Sequence, residues 1–410
     1  MKTISYLLTL VLVIFFFQSC QEGSNIEEKT ERIHDQVLTI DTHTDSPLNL
    51  MRSDFDLGER HSYEDSRTCL DYPRMKEGGL DAAFLAVFIG QRERTGNGNK
   101  LAKKKAIEIF NKIHESIDEN QDLAGLALEA DDAYELEKQN KRAVYIGLEN
   151  GYPIGKDINN VERFYELGAR YITLCHTSNN DICDSSTDSD GPEHNGLSEF
   201  GKKVVRRMNK MGMIIDVSHM SDKAFYDVIE ISNTPVIASH SCARALCDHP
   251  RNLSDEMLRK LKENGGVIQI CFMSDYLKEI KQDPARDSAY RALREKYDGF
   301  SDLTEEERAK ARKEWYAINK KFPKKLAAVK DVVDHIDHVV ETIGINYVGI
   351  GTDFDGGGRV EDCADVSQMK NVTKELIKRG YSEEEIKMIW GGNFIRVFRE
   401  VQRNSGTQSS

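Results

Sequence analysis

The amino-acid sequence predicts an α/β protein folded as a (β/α)8 TIM barrel, on three observations. Eight short β-branched runs recur along the chain, longer amphipathic segments separate them, and no glycine-rich phosphate loop follows the first run. Apolar strands alternating with helices imply a parallel sheet covered on both faces, and eight such units close a barrel. An open doubly wound sheet is the alternative, but it usually carries a glycine-rich turn after its first strand.

In chain order, the first twenty residues stand apart. Lys2 precedes an apolar stretch from Tyr6 to Phe17 broken only by Thr9, and Gln18, Ser19 and Cys20 follow. That stretch is shorter than the roughly 20 residues that span a bilayer but suits the core of an export signal. Phe17-Gln-Ser-Cys20 resembles a bacterial lipoprotein cleavage box, with Phe17 where leucine is usual. Residues 1–20 are therefore expected to be a signal peptide ending at a lipid-bearing Cys20, with ordinary secretion as the alternative. The expected product is exported and anchored to a bacterial membrane, facing the periplasm or the cell surface. Residues 21–31 read as a polar tether, residues 32–402 as a single barrel domain and residues 403–410 as a flexible tail.

The eight expected strands are Val37 to Asp41, Ala82 to Ile89, Ala143 to Leu148, Tyr171 to Cys175, Met213 to Val217, Pro235 to Ser239, Val267 to Cys271 and Tyr347 to Gly351. Helical periodicity marks Ala102 to Ile117, Val161 to Leu167, Glu199 to Met211, Asp222 to Ile231, Ser254 to Asn264 and Ala327 to Ile343. Ser254 before Asp255 and Glu256 is a helix start, because a hydroxyl caps free amides and acids suit the positive end. Val366 to Arg379, Ser382 to Trp390 and Asn393 to Gln402 read as closing helices.

Two segments read as insertions. Asp181 to Asn195 is polar and acidic; its Asp188, Asp190 and Gly191 half-resemble a calcium loop, but Leu197 stands where the last acidic ligand belongs, so a solvated loop is expected. Leu277 to Lys325 is a charged helical excursion before the last strand, either a solvated helical pair or a lid over the barrel mouth. The seven cysteines beyond Cys20 include no C-x-x-C pair, which disfavours thiolate zinc ligation, and their odd number leaves at least one free thiol. Net charge −13 excludes a non-specific nucleic-acid binder, which needs a basic face.

Candidate functional residues follow from position in the repeat. Strand carboxyl ends converge on one mouth of such a barrel, and polar residues placed there are candidates for chemistry. They are His43 and Asp45 after the first run, Glu149 after the third, His176 after the fourth, His219 after the fifth, His240 after the sixth and Asp353 after the eighth. Imidazole and carboxylate suit zinc, which takes such ligands at roughly 2.0–2.2 Å. There are more of them than one tetrahedral catalytic site needs, which points to two ions with Glu149 between them. Singly, His219 could cap the helix near Asp222 and His240 could satisfy a turn. His335 and His338, beside Asp334 and Asp337 and opposite the stripe Val332, Val333, Ile336, Val339 and Val340, read as a solvated helix face.

Seven motifs carry a resemblance: Asp41-x-His43-x-Asp45, Gly147-Leu-Glu149-Asn-Gly151, Arg170-Tyr-Ile-Thr-Leu-x-His176-Thr, Asp216-Val-Ser-His219-x-Ser221, Pro235-Val-Ile-Ala-Ser-His240-Ser, Arg251-Asn and Gly349-Ile-Gly-Thr-Asp353-Phe-Asp-Gly356. In this order, from about residue 36 to 402, the chain resembles the renal (membrane) dipeptidase family of zinc metallopeptidases. The resemblance implies a barrel of the metal-dependent amidohydrolase type that hydrolyses dipeptides through a water or hydroxide between two zinc ions. It implies His43 and Asp45 on the first ion, His219 and His240 on the second, and Glu149 bridging. His176 and Arg251 would hold the substrate, and Asp353 would bind it too and act as acid and base. The implied partner is a dipeptide, with membrane attachment through Cys20; a homodimer stays open. Rival expectations are a binuclear amidohydrolase of lactams or cyclic amides, many of which use a carboxylated lysine absent from the third and fourth strand ends here, and a non-catalytic binding lipoprotein.

Overall fold

The computed structural model describes residues 25–52, 55–281, 283–300 and 303–405. The expected signal peptide, Cys20 and the end of the tail lie outside them. Eight parallel strands form the barrel: β1 (Ile40–Thr44), β2 (Ala82–Phe88), β3 (Arg142–Glu149), β4 (Ala169–Thr173), β5 (Ile214–Asp216), β6 (Ile237–Ser241), β7 (Val267–Ile270) and β8 (Val348–Ile350). They pair in sequence order, and a parallel bridge between Thr44 and Phe354 joins the two ends. Two hydrogen bonds seal that seam, Asp45 N–H to the Phe354 carbonyl at 2.8 Å and Asp353 N–H to the His43 carbonyl at 3.0 Å. The expected (β/α)8 barrel is the observed fold. An accessory strand, Ala124–Leu126, pairs with β3 outside the ring.

Alternation along the strands divides the core. Ala82 and Phe84 face the barrel interior with Tyr145, Tyr171, Ile214, Ile237 and Val267, while Ala83, Leu85 and Val87 face the outer helices. The last helix, Asn393–Arg403, sends Phe394, Phe398 and Val401 into the interior cluster, at a spacing that puts them on one helical face. The Phe84 ring lies 4.8 Å from Tyr145, 5.1 Å from Tyr171 and 5.2 Å from Phe394. This aromatic floor makes the barrel a packed core, so chemistry is confined to the mouth.

Helix boundaries follow their caps. Ser198, Ser221 and Ser254 accept from the amides of Gly201, Ala224 and Met257 at the starts of Glu199–Met211, Asp222–Ile231 and Asp255–Asn264. The helix after β2 starts at Gly96, earlier than periodicity suggests, because Thr95 caps it. Tyr72–Gly78 escaped the periodicity reading although Asp71 caps it and Gly79 ends it in the left-handed region.

Two expectations change. Residues 25–34 are helical, and Glu27 and Glu31 pair with Lys374 and Lys370, so the segment given to the tether docks on the closing helices from residue 25 onward. His335 is buried rather than solvated: its Nε2 donates to the Leu277 carbonyl at 2.8 Å and its Nδ1 accepts from Ala243 N–H at 3.0 Å. Asp188 spends its two carboxylate oxygens on the backbone amides of Asn179 and Asp190, consistent with a polar loop rather than a calcium ligand. All seven described cysteines are unbridged thiols.

The insertion is a helical pair, Pro284–Lys296 and Glu305–Lys321, held by Tyr290 against Trp315 at 4.4 Å and by Lys296 paired with Glu314 at 2.6 Å. Tyr316 stacks on the Arg67 guanidinium, which also faces Tyr63. The pair therefore leans on the β1–β2 connection, at the same carboxyl face as the candidate residues.

Candidate metal centre

Each candidate reaches the mouth from its own strand end. His43 lies within β1, because the strand runs later than its apolar start suggested, and Asp45 follows it on the same face. Glu149 ends β3, His240 lies within β6, and His176, His219 and Asp353 follow β4, β5 and β8. His219 (φ 70°) and Asp353 (φ 62°) occupy the left-handed region, so the chain turns sharply out of the strand at both.

These seven side chains converge. Glu149 lies at the centre, with Oε1 3.2 Å from His219 Nε2, 3.5 Å from His240 Nε2 and 3.7 Å from His176 Nε2. Its Oε2 turns the other way, 3.5 Å from His43 Nε2. Asp353 Oδ1 is 4.0 Å from the same nitrogen. Potential ligand atoms of three sets lie within 4.8 Å of one another: His43 with Glu149 and His240, Glu149 with His176 and His219, and His43 with Asp45 and Asp353. Only His176 keeps a sizeable exposed fraction, 21% of its side chain, and its ring rests on Phe88 at 4.6 Å, which makes it the rim residue.

A cation fits this donor set. Among the described residues, His43 Nε2, Asp45 Oδ1 and Glu149 Oε2 are buried without hydrogen-bond partners, an arrangement that costs free energy unless something else satisfies them. Donors about 2.0–2.1 Å from a shared tetrahedral ion stand roughly 3.3 Å apart, close to the separations around Glu149. Electrostatics agrees. Burial and the neighbouring Glu149 charge push the Asp45 carboxyl well up, and burial pushes Asp353 up to about 7 despite the nearby His43. Burial would lower His43, but Glu149, Asp45 and Asp353 outweigh it and raise the ring to about 10. Burial, with Arg251 nearby, holds His219 and His240 well below the ordinary histidine range, so both are neutral and can offer lone pairs.

The loop after β8 is shaped for this crowding. A side chain at Gly356 would place its Cβ 2.1 Å from Asp45 Oδ2 and 2.2 Å from Asp353 Oδ1, so only glycine fits. Arg251, buried after β6, donates to the His240 carbonyl at 3.0 Å and stands over the Tyr276 ring at 5.5 Å.

Sequence reasoning missed the residues behind the ligands. Tyr171 Oη meets His43 Nδ1 at 2.8 Å, Ser239 Oγ meets His240 Nδ1 at 2.8 Å, and Asp216 accepts from Ser239. Asp41 accepts from the backbone and hydroxyl of Thr352, bracing the turn that carries Asp353. Asp41 and Asp216 stood in the quoted motifs, two and three positions before a candidate histidine, and that spacing was the available signal.

Known proteins share this arrangement's fold and sequence. The family model for membrane dipeptidase, peptidase family M19, matches residues 27–410. "Dipeptidase tcpJ" of Claviceps purpurea is 32% identical over 396 residues, covering 94% of this chain and 83% of that protein. "Dipeptidase 3" of Rattus norvegicus is 30% identical over 386 residues, covering 91% and 68%. Among solved structures, the probable dipeptidase PvdM from Pseudomonas aeruginosa superposes with TM-score 0.80 at 31% identity, covering 93% of this chain and 100% of that one. A metallo peptidase from Rhodobacter sphaeroides, solved with a phosphinate mimic of the dipeptide L-Ala-D-Ala, shares the fold at TM-score 0.71 and 20% identity, covering 89% and 99%.

Proposed function

Since the chain belongs to the membrane dipeptidase family, peptidase family M19, whose members are metal-dependent hydrolases, we propose that it cleaves the peptide bond of free dipeptides at a centre of two zinc ions. His43 and Asp45 would hold one ion and His219 and His240 the other, with Glu149 standing between them. The observation that carries this reading is the posture of Glu149, whose two oxygens face opposite histidine groups at 3.2–3.5 Å. Bound zinc supplies positive charge that polarises the scissile carbonyl and makes water acidic enough to attack near neutral pH.

The remaining steps fall to side chains. Asp353 takes the proton of the attacking water and returns it to the leaving amine, a task for a positioned carboxyl that titrates near neutrality. His176, at the rim 3.7 Å from Glu149, donates to the oxygen on which negative charge builds. Arg251 offers a planar fork to the terminal carboxylate of the substrate, which selects dipeptides over longer chains. Export and lipidation at Cys20 complete the proposal, on the apolar leader alone. Zinc-loaded protein should hydrolyse a panel of L,L and L,D dipeptides and lose that activity to a chelator. Activity against lactams but not dipeptides would replace this reading with the cyclic-amide one.

A further inference from the structure

A metal-binding imidazole must offer one nitrogen without its proton, so whatever touches the other nitrogen decides whether the ring is ready. His240 Nδ1 lies 2.8 Å from Ser239 Oγ, and Ser239 Oγ lies 2.7 Å from Asp216 Oδ2. Asp216 is fully buried and receives four donors: the Thr173 hydroxyl at 2.5 Å, the Ser239 hydroxyl, and the backbone amides of Ser218 at 3.0 Å and Ser239 at 2.9 Å. With its oxygens so filled, Asp216 acts purely as an acceptor. The Ser239 hydrogen therefore points to Asp216, leaving the Ser239 oxygen to accept from His240 Nδ1–H. His240 Nε2 is then the bare nitrogen, and it faces Glu149 and His219. Among the described residues His219 has no equivalent brace, since its Nδ1 is buried without a hydrogen-bond partner.

On the opposite side the brace differs in kind. His43 Nδ1 meets the Tyr171 hydroxyl at 2.8 Å, and Gly147 leaves room for that ring, since a Cβ there would fall 2.1 Å from it. No carboxylate stands behind Tyr171 in hydrogen-bond contact among the described residues.

We propose that Asp216 is a positioning residue for the ion of His219 and His240, acting through Ser239 to fix the His240 tautomer, while Tyr171 separately holds the orientation of the His43 ring at the other ion. The proposal rests on the two-ion reading. It explains why a buried carboxylate that touches none of the metal-facing atoms stands at the end of β5, beside β6. It also divides the second coordination sphere into two separable halves.

The test uses the full chain, stripped of metal and titrated with zinc, as wild type, Asp216→Asn, Ser239→Ala and Tyr171→Phe. Asparagine keeps the shape of Asp216 but turns a donor toward Ser239, removing the acceptor that sets the direction of the relay. Asp216→Asn and Ser239→Ala should each weaken one zinc site by about 10–100-fold and leave the other within about twofold. Zinc-edge anomalous maps should place the loss at His219 and His240. Tyr171→Phe should show the opposite pattern, with the loss at His43. If Asp216→Asn and Ser239→Ala keep both sites at wild-type affinity, or lose both together with a lower unfolding temperature of the metal-free chain, the relay is refuted and the two-ion reading stands. A wild type that takes up fewer than two zinc ions refutes both.

Discussion

Replacing Asp353 with asparagine isolates proton transfer from metal binding. Asparagine fills the same space, and the turn that carries it is held by Asp353 N–H on the His43 carbonyl and by Asp41 on Thr352, neither of which involves the lost oxygen charge. Zinc content should therefore stay at the wild-type value. Removing a positioned acid/base group costs about 10²–10⁴-fold in turnover, or roughly 3–5 kcal/mol of barrier. Burial raises Asp353 to about 7 in the metal-free chain and bound cations would lower it, so the wild-type rate of the zinc-loaded enzyme should fall about tenfold per pH unit below a value under 7 and level off above it. The base form is the ionised one, so activity is lost on the acid side, and the variant should lack this limb. Steady-state hydrolysis of one dipeptide between pH 5 and 9, with zinc measured in the same samples, reads both effects. A variant within threefold of wild type, or one that keeps the acid limb, refutes the assignment.

Three further outcomes follow. Arg251→Ala should raise KM for free dipeptides by about 10–100-fold, the loss of one charge-assisted fork, and leave the already poor hydrolysis of carboxyl-amidated substrates unchanged; equal losses on both would contradict it. Gly356→Ala should lower zinc affinity at least about tenfold, because its Cβ displaces Asp45 and Asp353, and a chelator competition titration at wild-type level would disprove this. His34, buried with Nε2 donating to the Gly78 carbonyl and Nδ1 accepting from Thr373, is driven by burial down to about 4. The unfolded chain takes up that proton near 6.5, so stability should be level above pH 7 and fall by up to roughly 3 kcal/mol between pH 6.5 and 4; urea unfolding of His34→Gln against wild type at pH 7.5 and 5 should show the difference shrinking in acid.

Much of the site was legible because a (β/α)8 chain repeats one unit, and a polar residue at the end of an apolar run has one place to go. Glu149 after Ala143–Leu148 is the clearest case. Register was less legible. Val37 and Leu38 look like strand, yet pairing starts at Ile40 because Thr39 spends its amide and hydroxyl on Asp81 and the Gly79 carbonyl. His335 read as solvated from its acidic neighbours, but its helix closes over the end of β6 and over Leu277, contacts remote in sequence. Asp216, Ser239 and Tyr171 look like ordinary strand residues, and their work appears only when β4, β5 and β6 lie side by side, with Thr173 opposite Asp216 and Asp216 opposite Ile237. Ala124–Leu126 is too short for any periodicity to reveal.

Zinc-edge anomalous diffraction from crystals of the wild-type chain, soaked in zinc, goes straight to the claim that one glutamate serves two ions. The account predicts two strong peaks, each about 2.0–2.2 Å from a different oxygen of Glu149, one beside His43 and Asp45 and the other beside His219 and His240. A single peak, or two peaks neither of which touches Glu149, would contradict it.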